Sequence, residues 1–77
     1  MKVIAIDDEP IALNIIERYC ERRGGIVLET YSKPRMGMQR IREWLPDIVL
    51  LDIEMNGTSG IELARQLPSS CCLIFTT

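Results

Sequence analysis

Two runs of four apolar residues, Val3-Ile4-Ala5-Ile6 and Ile48-Val49-Leu50-Leu51, show no polar alternation. A strand with one wet face alternates, so unbroken Val/Ile/Leu runs predict strands buried on both faces, as in a parallel sheet covered by helices. Each run ends at an acid: Asp7 and Asp8 follow the first and Asp52 the second. Ligands of open α/β sheets collect outside the carboxyl ends of the strands. The three carboxylates are therefore expected to share one pocket.

The remaining punctuation fits that sheet. Pro10 opens a segment in which Ile11, Ala12, Ile15, Ile16, Tyr19 and Cys20 recur with helical period as one broad stripe. Arg22-Arg23 and then Gly24-Gly25 end it, which predicts a helix from residue 10 to about 23. Ile26 to Tyr31 reads as a strand. Pro34 opens a second helix with Met38, Ile41 and Leu45 along one side, weakened by Gly37 and closed by Pro46. After Asp52, the polar stretch Glu54 to Gly60 is a loop, followed by a short helix with Ile61, Ala64 and Leu67 inward. Pro68-Ser69-Ser70 breaks that helix, and Cys72 to Thr77 is a last β-rich run. The order β-α-β-α-β-α-β implies right-handed crossovers and a doubly wound parallel sheet in the α/β class.

Composition excludes several classes. At 47% apolar and 26% charged residues the chain is an ordinary globular one, and no apolar run approaches the ~20 residues that span a bilayer. Acids arriving at position 7 interrupt any signal-peptide core, so export is not expected. A formal net charge of −2 offers no electrostatic argument for nucleic acid or an anionic membrane, and Arg22-Arg23, Arg40 and Arg42 read as solvated helix faces. Lys2 and Lys33 read as surface charges, and Met36, Met38 and Trp44 as packing residues. Three cysteines without metal-type spacing fit a reducing cytoplasm. Cys20 and one of the Cys71-Cys72 pair read as small core hydrophobes, with Cys71 open to oxidation between chains. Seventy-seven residues form one domain, over 1–77, and bury only about 60% of their unfolded surface, so marginal stability is expected.

Two ionised carboxylates about 4 Å apart repel by roughly 4 kcal/mol at an effective dielectric near 20, and a third adds to this. Either one acid is held protonated or a hard cation lies among the oxygens. Mg²⁺ suits a small site of one or two carboxylates, a carbonyl and waters. An aspartate in such a pocket can attack a phosphoryl group while the cation neutralises developing charge. For Asp7-Asp8-Glu9 the bland reading is a set of acids favoured by a helix N-terminus. Asp52 after a second buried strand tips the balance toward a pocket. For Thr77, a hydroxyl that bonds a new phosphoryl oxygen and a β-favouring residue at the end of a strand weigh equally on physics alone.

Ile4-Ala5-Ile6-Asp7-Asp8-Glu9-Pro10, Pro46 to Met55, Gly60 and Phe75-Thr76-Thr77 together resemble the receiver domain of bacterial two-component response regulators. The wording Asp52-Ile53-Glu54-Met55 and Ile74-Phe75-Thr76-Thr77 is most similar to regulators with a LytTR-type DNA-binding output. The resemblance implies a flavodoxin-like sheet of strand order 2-1-3-4. It implies Asp52 as phosphoacceptor, with Asp7, Asp8, Asp52 and the backbone carbonyl of Glu54 around Mg²⁺. Thr77 becomes the switch hydroxyl, Met55 and Gly60 the loop residues, and a sensor histidine kinase the partner. DNA would be reached only through an output domain. Against the family pattern, Met55-Asn56 stands where Met-Pro is usual, which predicts a less rigid loop. The fourth helix, the fifth strand with its phosphate-binding lysine and the fifth helix have no counterpart, so an incomplete receiver of uncertain phosphotransfer competence is expected.

Two other functions compete. A self-associating interaction module follows from the uncovered last strand, which invites pairing with another copy, and predicts a homodimer or higher assembly. A phosphatase using an aspartyl-phosphate intermediate would need a second acid two residues after its nucleophile to act on the leaving group; position 54 is Glu, and this reading ranks last.

Overall fold

A computed structural model describes residues 1–55 and 57–76. The elements in chain order are β1 (Lys2–Ile6), α1 (Pro10–Arg23), β2 (Val27–Tyr31), α2 (Pro34–Trp44), β3 (Ile48–Leu51), β4 (Glu54–Met55), β5 (Thr58–Ser59), α3 (Gly60–Ala64) and β6 (Cys72–Phe75). The main sheet is wholly parallel with order β2-β1-β3-β6. This is the expected 2-1-3-4 order, since β6 is the fourth strand of that sheet. The loop after Asp52 departs from expectation by folding into an antiparallel two-residue hairpin, β4 on β5.

Register decides which side chains meet. Ile4 pairs with Val49 and Ile6 with Leu51 across β1 and β3. All four project to one face, where they pack with Met38 and Ile41 of α2 and with Met55. Leu63, Ala64, Leu67, Cys71 and Leu73 close this core. Ala64 and Leu67 lie inward as the periodicity predicts, but Leu63 takes the place expected for Ile61, which faces out. Gly37 has a positive reason to lack a side chain: a Cβ there would come within 2.7 Å of Ile6 Cγ1, so the glycine lets α2 settle onto β1.

The opposite face is covered less completely. α1 lies over β1 and β2 and buries Leu13 and Cys20. The predicted stripe splits, because Ile11, Ile15 and Tyr19 remain 73%, 65% and 66% exposed. Helical period alone does not say how many elements share a face, and here one helix covers only half of it. Beside α1 runs an open groove of about 470 Å³, lined by Ile15, Ile16, Tyr19, Ile48, Leu50 and Ile74.

Helix ends follow the sequence signals. Pro10 and Pro34 occupy first turns, and Gly24 at φ 73° closes α1 with its amide donated to the Cys20 carbonyl at 3.0 Å. Leu45, expected on the inner side of α2, instead caps it in the left-handed region at φ 50° and is exposed.

Several surface assignments change. The Arg40 guanidinium pairs with Glu29 through Nε at 2.8 Å and Nη2 at 3.1 Å, and Tyr31 Oη donates to the same carboxylate at 2.8 Å. Lys2 Nζ donates to the Trp44 carbonyl at 2.6 Å, and both Lys2 and Arg40 stand 5.2 Å from the Trp44 ring. Trp44 is a packing residue with two cations within cation–π range of its ring. Of the cysteines, Cys20 is buried and Cys71 packs on the core, so Cys72 is the exposed thiol. Sequence alone could not orient the vicinal pair, because adjacent residues point to opposite faces of a strand.

Hydrogen bonds from Arg40 hold the Glu29 carboxyl below its ordinary value of 4.5, against the opposing effect of burial. Glu29 therefore contributes stability above pH 4.5 that is lost as pH falls through the lowered value. Urea midpoints at pH 7 and pH 3.5 are expected to converge for Glu29→Gln relative to the native chain; an unchanged pH dependence would show that this ion pair carries no stability.

Candidate functional site

The carboxyl ends of the four neighbouring strands of the main sheet are tied by a row of backbone bonds. The Asp7 amide donates to the Tyr31 carbonyl at 3.1 Å, the Asp52 amide to Ile6 at 3.1 Å, and the Thr76 amide to Leu51 at 3.0 Å. These bonds continue the β-ladder one residue past each strand, so both acidic segments emerge at one level. Asp7, Asp8 and Asp52 each offer a carboxylate oxygen, and all three oxygens lie within 4.8 Å of one another. The juxtaposition expected from the two apolar runs is present.

The three acids differ in surroundings. Asp7 is 7% exposed, whereas Asp8 and Asp52 are half-buried. Asp7 Oδ1 accepts the Glu9 amide at 3.0 Å, and Asp52 Oδ1 accepts the Glu54 amide at 3.3 Å. Both are turns in which a short acid bonds the backbone two residues on, freezing the carboxylate relative to its own loop. Burial pushes the Asp7 carboxyl above its ordinary value, with the charges of Asp52, Asp8 and Glu9 adding to this and the Glu9 amide opposing it. Ionising the cluster in full therefore costs free energy that a hard divalent cation would relieve. An all-oxygen donor set of three converging carboxylates fits Mg²⁺ chemistry.

The remaining predicted residues fall into place unequally. Glu54 begins β4 two residues after Asp52, with its amide turned to the Asp52 carboxylate. Met55 is buried in the core and so anchors the loop. Gly60 packs directly on the Asp52 carbonyl: a Cβ there would clash with that oxygen and stand 2.8 Å from Ile53 Cα. Its amide donates to the Ile53 carbonyl at 2.7 Å, drawing the loop back under Asp52. Thr77 lies outside the described residues. Tyr31 and Thr76 were not foreseen; the first holds Asp7 through its backbone, and the second lines a cavity of about 240 Å³ with Asp7, Ala12, Ile15 and Ile16. The one available signal was position: Tyr31 is the last residue of a predicted strand, and Thr76 lies near the end of the predicted β-rich run Cys72 to Thr77, whose observed strand stops at Phe75.

The chain belongs to the response regulator receiver domain family, whose model matches residues 3–76. Its architecture is the flavodoxin-like receiver fold. It is 36% identical over 66 residues to the phosphate regulon transcriptional regulatory protein PhoB of Rhizobium meliloti, covering 86% of this chain and 29% of that protein. It is 30% identical over 71 residues to a protein-glutamate methylesterase/protein-glutamine glutaminase of Chromobacterium violaceum, covering 91% of this chain and 20% of that one. The chain thus spans less than a third of these relatives. Among solved structures it is similar to a chain of histidine kinase ThkA in complex with response regulator protein TrrA, with TM-score 0.83, 26% identity, and coverage of 96% of this chain and 66% of that chain. Among the described residues, no helix is long and apolar enough to cross a membrane.

Two outcomes follow from the site. Asp7→Asn should stabilise the chain in EDTA by on the order of 1 kcal/mol, since a repulsion of about 4 kcal/mol at a dielectric near 20 is diluted by solvent. Mg²⁺ should raise the urea midpoint of the native chain but not of this variant. Lower stability of Asp7→Asn in EDTA would contradict the repulsion. Gly60→Ala should cost about 2 kcal/mol or more in thermal melts because of its clash with the Asp52 backbone. Gly57→Ala, at φ 72° with open space around it, should cost only about 1 kcal/mol.

Proposed function

We propose that this receiver accepts a phosphoryl group on Asp52 from the phosphohistidine of a sensor histidine kinase, with Mg²⁺ held by Asp7, Asp8, Asp52 and the Glu54 carbonyl. The observation that supports this reading is the convergence of three carboxylates at the ends of adjacent buried strands in a chain of the receiver family. When bound, Mg²⁺ supplies the positive charge that lets an anionic carboxylate approach an anionic phosphoryl group. A carboxylate oxygen of Asp52 attacks phosphorus; the new P–O bond forms as the P–N bond breaks, and the imidazole leaves as the neutral base once it has taken a proton. The Glu54 amide keeps the other Asp52 oxygen oriented. The product acyl phosphate adds charge at the strand ends, where the Thr77 hydroxyl is the proposed switch contact.

The chain acts as one receiver unit over residues 1–77 in the cytoplasm, where histidine kinases deliver phosphoryl groups. In a longer protein it switches an output domain, for which DNA binding of the LytTR type is the proposed class. A second reading, that the chain also associates with another copy of itself, is favoured by the apolar side chains Ile11, Ile15 and Tyr19 exposed on α1.

Incubation of the chain with Mg²⁺ and a small acyl-phosphate donor should add one phosphoryl mass by intact-protein mass spectrometry. The adduct should be absent from Asp52→Asn and lost on treatment with hydroxylamine. Equal labelling of native and Asp52→Asn chains, or a hydroxylamine-stable adduct, would refute Asp52 as the acceptor.

A further inference from the structure

Helix α2 carries two cations that the fold leaves unused. Arg40 pairs with Glu29 at 2.8 Å and Arg65 with Glu62 at 3.8 Å, whereas Arg35 and Arg42 enter no ion pair among the described residues. Arg35 also stands in the first turn of α2, which holds no acid, so its charge opposes the helix dipole. The helix itself gives no reason for a cation there. Both arginines are exposed and line an open groove of about 280 Å³ between α2 and α3. Its floor is Met38 of α2 and Leu63 of α3, Thr58 of β5 and Gln66 add neutral polar groups, and no acid lines it. These walls come from residues 34–66, and α2 packs on β1 and β2, at the end of the sheet away from β6.

Spacing and charge narrow the occupant. Residues 35, 38 and 42 follow the i, i+3, i+7 order of one helical stripe, which sets the two arginines about 10.5 Å apart along the axis with Met38 between them. A small anion would answer the charge but not the apolar strip. Nucleic acid calls for a broad basic surface, and eleven acids against nine bases leave this chain without one. We propose that the groove between α2 and α3 docks an acidic amphipathic helix of a partner protein. Laid antiparallel to α2, a helix with acids at j and j+7 and an apolar residue at j+4 meets Arg42, Met38 and Arg35 in turn. The paired charges fix its orientation, and the apolar residue covers the half-buried Leu63. Nothing here draws on Asp52, so the inference stands independently of the phosphotransfer reading.

A peptide of about 20 alanine and glutamine residues carrying one such Glu, Leu, Glu set is long enough to form a helix alone. Titrated at low salt into the ¹⁵N-labelled native chain, it should shift amide resonances of α2 and α3 with a Kd on the order of 1 mM, since exposed ion pairs are individually weak. The same peptide with Lys for both Glu should leave them unmoved. Arg35→Glu and Arg42→Glu should each weaken binding by about fivefold or more, and about 1 M salt should abolish it. Asp52→Asn should bind as the native chain does. Should a charge reversal lose the native spectrum, Arg35→Gln and Arg42→Gln provide the same comparison. Absence of any shift at several times that concentration, equal binding of the Lys peptide, or binding that survives both arginine substitutions would overturn the proposal. Tighter binding of a short DNA duplex than of the Glu peptide would overturn it too, in favour of a different polyanion, as would the same shifts produced by sodium phosphate alone.

Discussion

The register of β1 against β3 is the constraint on which everything else depends. Ile4, Ile6, Val49 and Leu51 are almost wholly excluded from solvent, and their pairing brings the Asp7-Asp8 segment beside Asp52. A slip of one residue would turn these side chains to the opposite face and break the run of backbone bonds that places the acids level. Repulsion among the carboxylates opposes this arrangement. It is held by apolar burial, at roughly 25 cal/mol for each Å² removed from water, in strands that extend well away from the charged end. The hydrophobic core supplies the rigidity and the loop ends supply the chemistry.

The two faces of the sheet divide the molecule's tasks. On one, α2 and α3 seal the core, and the close approaches at Gly37 and Gly60 let a helix and a loop press against β1 and Asp52. The glycine at position 60 links packing to function, because the same contact that closes the loop fixes the backbone bearing Asp52. On the other face α1 covers only half of the available surface, leaving Ile11, Ile15 and Tyr19 in water beside a groove that ends near the cavity lined by Asp7 and Thr76. A partner that occupied this groove would therefore lie close to the acidic site.

Local signals in the chain are strong wherever chemistry acts over a few residues. Proline at positions 10 and 34 and glycine at 24 mark helix ends, and unbroken apolar runs mark buried parallel strands; all appear where the sequence places them. The pocket was equally legible, since an acid following such a strand has only one end of a parallel sheet to occupy. Less was visible where the outcome turns on a distant partner. The burial of Leu63 over Ile61, the inward turn of Cys71 and the engagement of Lys2 and Arg40 with Trp44 and Glu29 all depend on residues far away in sequence.

What the amino-acid order determined by itself was the succession of strands and helices and the identity of the acids at the strand ends, because period, proline, glycine and the side-chain inventory are local properties. What only the tertiary structure decided was how much of each apolar stripe is covered. Exclusion from water is a property of an assembled surface: the stripe on α1 is half core and half solvent-facing because one helix cannot span a face four strands wide. The close fit of Gly60 against Asp52 belongs to the same class, since no local pattern records which backbone atom a folded loop will meet.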